Sequence, residues 1–184
     1  MARGVWDTAP IMTTAPDVLN PYARFLSGRE PLTVLRETPV RLQGLMHAIG
    51  PSGVAVAPAP GKSSASEILC HLADCEVVFA FRLRQTLSED HHVIQPFDQE
   101  RWAYPYPGID GGEALSTFTA VRKWNVRLIQ GALPLHAEKP VTHPERGAMT
   151  FRTVVETMAG HDLNHKEQLE RIAAKLRGVA RAGG

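Results

Sequence analysis

The feature that most constrains this chain is one long amphipathic run near its carboxyl end, "TFRTVVETMAGHDLNHKEQLERI", from Thr150 to Ile172. Phe151, Val154, Val155, Met158, Leu169 and Ile172 recur at helical spacing, so they form one apolar stripe that has to be buried against other elements. His161 and His165 fall on the same stripe, because 158, 161, 165, 169 and 172 advance by three or four. Residues four apart share a helix face, so both imidazoles point toward the interior. A buried imidazole needs a partner.

Three further runs supply the surfaces for that stripe. The first follows Pro31, with Leu32, Leu35, Leu42, Leu45, Met46 and Ile49 on one face. Pro39 predicts a kink or a division into two shorter helices, and Gly50 a stop. The prolines and glycines of Pro51–Ser63 make a connecting loop. The second helix starts near Ser64 or Ser66, where Ser64 and Glu67 have capping-box spacing, and carries Ile68, Leu72, Cys75, Phe79 and Leu83 to about Leu87. The third runs from about Glu113 to Leu133, with Leu115, Phe118, Val121, Asn125, Leu128 and Ile129 near one side, and Pro134 ends it.

Between the second and third helices, Phe97, Trp102, Tyr104 and Tyr106 are too many aromatics for a purely solvated loop. They cover one end of the core or roof a pocket. After the third helix, Gly147 marks a tight turn and "PVTH" is at most one extended segment, not part of a sheet. Thr150 is placed to cap the last helix, which runs to about Leu176 or Arg177. Four long helices with no layer of strands predict an all-α four-helix bundle. Its span is 31–177, after an irregular lead-in over 1–30 with a helical turn around Tyr22–Leu26, and before a tail over 178–184.

At 184 residues the chain suits one domain. Its 20 Lys and Arg against 19 Asp and Glu give a formal charge of +1, not the footprint of a nucleic-acid binder. No apolar run reaches membrane-spanning length and the amino terminus lacks a signal-peptide core, so a cytoplasmic protein is expected. Cys70 and Cys75, five residues apart on one helix, are poorly placed for a disulfide and read as packing thiols. "APAPGKSS" lacks the first glycine and the preceding strand of a phosphate loop.

The histidine pair by itself fits either metal ligands or satisfied core residues. His71, in "EILCHLADCEVVFAF", adds to it: Ile68 lies three residues before, Cys75 four after and Val78 seven after, so it too faces inward. Three imidazoles from two helices make a tripod for Zn²⁺, Ni²⁺ or another late divalent transition metal, with coordination positions left for water or substrate. Asp74, one turn from His71, and Asp162, beside His161, are the candidates for proton transfer. Glu76 serves packing, a hydrogen bond behind the ligands or the surface. Gln168 either orients a ligand or bound water, or is an exposed polar residue. Asp162 stands where a zinc protease has its glutamate base, with a shorter reach, and a protease is not expected.

"GKSSASEILCHLADCEVVFAFRLRQTL", "PFDQERW" and "TFRTVVETMAGHDLNHKEQLERI" together resemble the DinB-like superfamily of metal-binding four-helix proteins, which includes the YfiT type. The resemblance covers most of residues 31–177. It implies an up-down-down-up bundle with a long connection between helices two and three, and a metal held by His71, His161 and His165. One departure is visible: Gly61-Lys62-Ser63-Ser64 stands where many relatives have tryptophan in a "GKWS" phrase. The resemblance implies a metal-dependent hydrolase or a thiol-dependent S-transferase acting on a small molecule, the latter with a low-molecular-weight thiol. Arg82 and Arg84 would then bind that thiol's carboxylates at the rim of a pocket to which Trp102 also belongs. A homodimer is compatible with the family. The alternative is a non-catalytic metal-binding or stress-associated bundle in which the ion secures the helices.

Overall fold

Each long helix opens on a side-chain cap that takes up amide protons the helix leaves unpaired. The computed structural model describes residues 19–182, in the order α1 (Ala23–Leu26), α2 (Pro31–Ile49), α3 (Ala65–Ser88), α4 (Gln99–Trp102), α5 (Gly111–His136), β1 (Pro140–His143), β2 (Gly147–Thr150) and α6 (Phe151–Ala182). The Glu30 carboxylate accepts from Leu32 and Thr33, with Pro31 in the first turn of α2. Ser64 and Glu67 form the full capping box of α3. Asp110 accepts from Gly112 and Glu113 at the start of α5, and Thr150 Oγ1 accepts from the Thr153 amide of α6 at 3.2 Å.

Pairs across the bundle establish its topology. Gly111 sits where a Cβ would come within 2.8 Å of Ser66 Oγ, and Asn125 reaches Glu76, so α3 and α5 run parallel. Arg122 reaches the Leu35 carbonyl while Met46 lies against Gly111, so α2 is antiparallel to α5. His71 meets His161 while Ile68 and Ile172 line one hollow, so α3 and α6 are antiparallel. The arrangement is up-down-down-up, and the 22 residues from 89 to 110 carry the chain back along the bundle between its two parallel helices. Among the described residues no helix is long and apolar enough to cross a membrane.

Five local expectations are corrected. Helix α2 runs unbroken through Pro39. Proline removes the amide that would bond the carbonyl four residues earlier, and that Leu35 carbonyl instead accepts from Arg122 Nη1 at 3.2 Å. Pro134 lies inside α5, near its last turn, and the helix continues to His136. The "PVTH" segment does join a sheet: β1 pairs antiparallel with β2, from Pro140 with Thr150 to His143 with Gly147. Ile94 donates to the Thr142 carbonyl and Thr142 to that of His92, tying the hairpin to the long connection. The last helix extends past Arg177 to Ala182. The buried line of α5 is also rotated from the expected one, through Gly111, Ala114, Phe118, Arg122, Asn125, Ile129 and Ala132.

The core divides into two apolar halves. One gathers Leu35, Phe79, Leu83, Ile129, Phe151, Val154 and Met158; the other gathers Leu42, Leu69, Leu72, Phe118, Leu169 and Ala173. The change from one to the other falls near 73–75 on α3, 118–129 on α5 and 163–169 on α6. Buried polar residues concentrate at this waist: His71, Glu76, Arg122, Asn125, His161, Asp162 and His165.

Candidate metal centre

Helix α3 brings His71, and α6 brings His161 and His165 one turn apart, all three at most 4% exposed. His71 Nε2 and His165 Nε2 each lie 3.1 Å from His161 Nε2, and the three ligand atoms fall within 4.8 Å of one another. His165 Nδ1 donates to Gln168 Oε1 at 2.9 Å. That bond fixes the tautomer, so His165 Nε2 offers a lone pair to the centre. A single proton on His161 Nε2 could serve only one of its two neighbours. Three converging nitrogens therefore suit a cation better than they suit one another.

Burial is the main reason these imidazoles stay uncharged. It holds His71 and His161 well below the usual histidine range, with His165 and then the other neighbouring cationic groups adding to the effect. His165 falls to about 4 by burial, against an opposing push from its bond to Gln168. Neutral imidazole is the form that ligates metals.

The surroundings are partly apolar. The Tyr22 ring stands edge-on to His161 with centroids 5.2 Å apart, and Phe79 lies 6.2 Å away. Tyr22 reaches this position because residue 160 is glycine: a Cβ there would lie 2.5 Å from the Tyr22 carbonyl oxygen. Cys75 Sγ lies 3.5 Å from His71 Nε2. Both cysteines are buried and unpaired with each other, and burial raises both thiols, Cys70 to about 11. Neither has the activated character of a nucleophile.

The predicted acid–base residues separate. Asp162 turns away from the histidines and takes a bidentate bond from Arg122, at 2.5 and 3.0 Å. With both oxygens engaged it is not a proton carrier for the centre. Glu76 is neither surface nor packing: Oε2 pairs with Arg122 at 2.7 Å and Oε1 accepts from Asn125 at 2.8 Å. The Arg122 guanidinium also lies 4.5 Å over the Phe118 ring. Burial works against its charge, but Asp162 and then Glu76 outweigh that and raise its pKa. Asp74 accepts from the Tyr106 hydroxyl at 2.6 Å.

The aromatics of the long connection do not act together. Tyr106 is buried, Tyr104 is 89% exposed, and Trp102 packs on Phe97 with centroids 5.1 Å apart. Trp102, Phe97, Phe81 and Arg82 line a hollow of about 430 Å³. Arg82 donates to the Gln95 carbonyl, while Arg84 turns to Asn125 Oδ1, away from any shared rim. Tyr22, Cys75 and Arg122 were not among the expected site residues. Arg122 was within reach of sequence reading, being four residues after Phe118 and three before Asn125 on one face. Nothing local to the sequence marks Tyr22.

The model of the DinB superfamily matches residues 35–169. Curated relatives include a protein of Oceanobacillus iheyensis named "Putative metal-dependent hydrolase", 27% identical over 110 residues, which are 59% of this chain and 64% of that protein. A Bacillus cereus protein of the same name is 22% identical over 111 residues, 60% of this chain and 64% of its own length. The chain thus spans somewhat less than two thirds of these relatives. Among solved structures, YfiT from Bacillus subtilis, described as a probable metal-dependent hydrolase with an unusual four-helix bundle topology, superposes with a TM-score of 0.68. It is 19% identical, over 77% of this chain and 84% of YfiT. The family match takes in all three histidines, and the chain belongs to the DinB superfamily.

Proposed function

We propose that the chain is a metal-dependent enzyme acting on a small molecule, that His71, His161 and His165 hold the ion, and that its reaction is hydrolytic. The observation that carries this reading is the approach of three buried imidazole Nε2 atoms with lone-pair chemistry facing a common point. A three-nitrogen set suits Zn²⁺ or Ni²⁺. Such an ion supplies Lewis acidity and lowers the pKa of a coordinated water. The chain's own residues hold the ligand tautomer through Gln168 and limit water on one side with Tyr22 and Phe79. The hydrolase names of the relatives point the same way. Thiol S-transfer would use the same three ligands and draws on the family resemblance.

A second reading has a specific support. Cys75 Sγ is near enough to His71 Nε2 to join the ligands after a side-chain rotation, which would close the centre and favour an ion that only secures the helices. Cobalt-loaded protein separates the two. An open three-histidine site gives d–d bands that change on adding azide and no thiolate charge-transfer band. A closed site gives a charge-transfer band that Cys75→Ser removes. Reconstituted enzyme is then assayed on ester, amide and phosphoester panels, and on thiol transfer with small thiols. Turnover lost on chelation, regained with the ion and absent in His161→Ala is the expected result. Metal-dependent thiol transfer without hydrolysis would replace the hydrolytic reading, and a thiolate-closed centre without turnover would overturn catalysis.

A further inference from the structure

A hollow of about 230 Å³ lies in the groove between α3 and α6, one helical turn beyond the histidines. Ile68 borders it three residues before His71, and Gln168 three residues after His165. The two helices are antiparallel, so both steps lead toward the same end of the bundle. Ile172 adds a second apolar wall, and every charged residue at the border is cationic: Lys62 from the connecting loop, with Arg171 and Lys175 from successive turns of α6. No carboxylate borders the hollow among the described residues. Glu67, next to Ile68, turns back to cap Ser64, and Glu170 pairs with Lys166 at 2.7 Å. Cations elsewhere on the surface are offset in the pairs Arg41–Glu37, Arg101–Asp98 and Arg152–Glu138. Arg171 makes no ion pair among the described residues, although Glu167 stands one turn before it on the same helix. Lys175 Nζ donates to the Pro58 carbonyl, which ties the loop to α6 and holds the ammonium at the rim. Like charges gathered round one concavity repel, and an anion among them removes that repulsion. Gln168 links the hollow to the metal centre. Its Oε1 accepts from His165 Nδ1, which leaves Nε2 a donor without a partner among the described residues.

We infer that this hollow is an oxyanion subsite, in which Arg171, Lys175 and Gln168 hold a carboxylate or phosphate of the substrate while its reacting group lies at the histidines. The Arg171 guanidinium matches either group through paired, charge-assisted hydrogen bonds, and the ammonium of Lys175 adds a point charge. Helical rise puts Gln168 about 4.5 Å and Arg171 about 9 Å along α6 from His165. The substrate class is therefore a short molecule whose charge stands roughly 5–9 Å from the reacting atom. An anion on Gln168 Nε2 polarises the amide and strengthens the Oε1 bond that fixes the His165 tautomer, so occupancy of the hollow also steadies the ligand. As substrate recognition this inference rests on the metal-centre reading; as anion binding it does not.

The test is a heteronuclear NMR titration of isotope-labelled protein, followed through the Gln168 side-chain amide and the Arg171 Nε–H signals. Glutarate, its neutral analogue glutaramide, and inorganic phosphate are added to metal-free protein, and glutarate also to the zinc-loaded form. The expected result is saturable shifts of both signals, with glutarate or phosphate bound about tenfold or more tighter than glutaramide. Arg171→Gln and Lys175→Gln, both at exposed positions, should each remove most of that preference. Arg152→Gln, at the ion pair with Glu138 at the opposite end of α6, keeps it. Thermal melts establish that the variants fold, and Arg171→Lys, which keeps the charge and loses the fork, should retain part of the affinity. Preference for glutarate identifies carboxylate substrates, and preference for phosphate identifies phosphoryl ones. Tighter glutarate binding once zinc is loaded supports a substrate that spans ion and hollow, and no gain overturns that span. Equal affinity for the anions and glutaramide, or an unchanged preference in folded Arg171→Gln and Lys175→Gln, overturns the subsite. Failure of the metal reading has a different signature: zinc is not retained, while the anion preference in metal-free protein stays.

Discussion

At Glu76, Arg122 and Asp162 every charge meets an opposite one, with contacts of 2.5–3.0 Å, whereas on the same helices His71, His161 and His165 turn like atoms toward one another at 3.1 Å. Asp162 follows His161 directly, yet the two side chains serve different clusters. The arginine knot is complementary within the protein: it joins α3, α5 and α6, and through the Leu35 carbonyl it repairs the gap left by Pro39 in α2. The histidine cluster instead brings three ring nitrogens to one point, the place the proposed ion would take. Both occupy the waist between two apolar halves, so burial alone does not separate structure from function. The difference lies in whether donors and acceptors are matched.

The largest expected effect comes from breaking the knot. Arg122→Met leaves two buried carboxylates uncompensated and should cost about 3–5 kcal/mol in chemical denaturation. Unchanged stability would mean that the knot holds nothing. The second effect is pH dependence in metal-free protein. An unfolded histidine titrates near 6.5. His165 in the folded chain titrates at about 4, depressed by burial. The associated stability is complete above the unfolded value and is lost as pH falls through 6.5 toward 4. The loss is on the order of 3 kcal/mol from this residue. Melting curves at pH 7 and 4.5 measure it, and zinc should flatten the profile near neutrality.

A smaller change sharpens the contrast. Gln168→Ala removes the bond that fixes the His165 tautomer and should weaken zinc binding by roughly 10–100-fold without altering stoichiometry, as competition against a chromophoric chelator would show. The smallest is His71→Leu. It abolishes stabilisation by zinc, yet should leave the metal-free fold as stable as the parent or firmer by about 1 kcal/mol, since a buried polar ring crowded against a like imidazole gives way to an apolar side chain. A large loss there would make His71 a structural residue like Arg122.

The helical frame was readable because it rests on local signals: the stripes of Phe151–Ile172 and Ile68–Leu83, the Ser64–Glu67 cap and the stop at Gly50. The inward direction of His71, His161 and His165 follows from the same periodicity. What escaped depends on distant partners. Whether Pro39 breaks a helix depends on Arg122, 83 residues later, supplying the lost hydrogen bond. The β1–β2 pairing depends on backbone groups meeting across a turn and on the His92–Ile94 strand edge. Asp162 beside a candidate ligand suggested proton transfer by proximity in sequence, but one step along a helix rotates a side chain about 100° and delivered it to Arg122 instead. Tyr22 lies against His161 only because Gly160 admits it, a relation between segments with no local mark.

The central claim is that the three histidines are mismatched for one another because they are matched to an ion. Metal content by mass spectrometry, on tag-free protein beside the folded His71→Ala/His161→Ala/His165→Ala variant, tests it directly. The account predicts close to one transition-metal ion per parent chain and none in the variant. Equal content in both, or none in the parent after exposure to zinc, nickel and iron, would contradict it and leave the histidines as residues of the core.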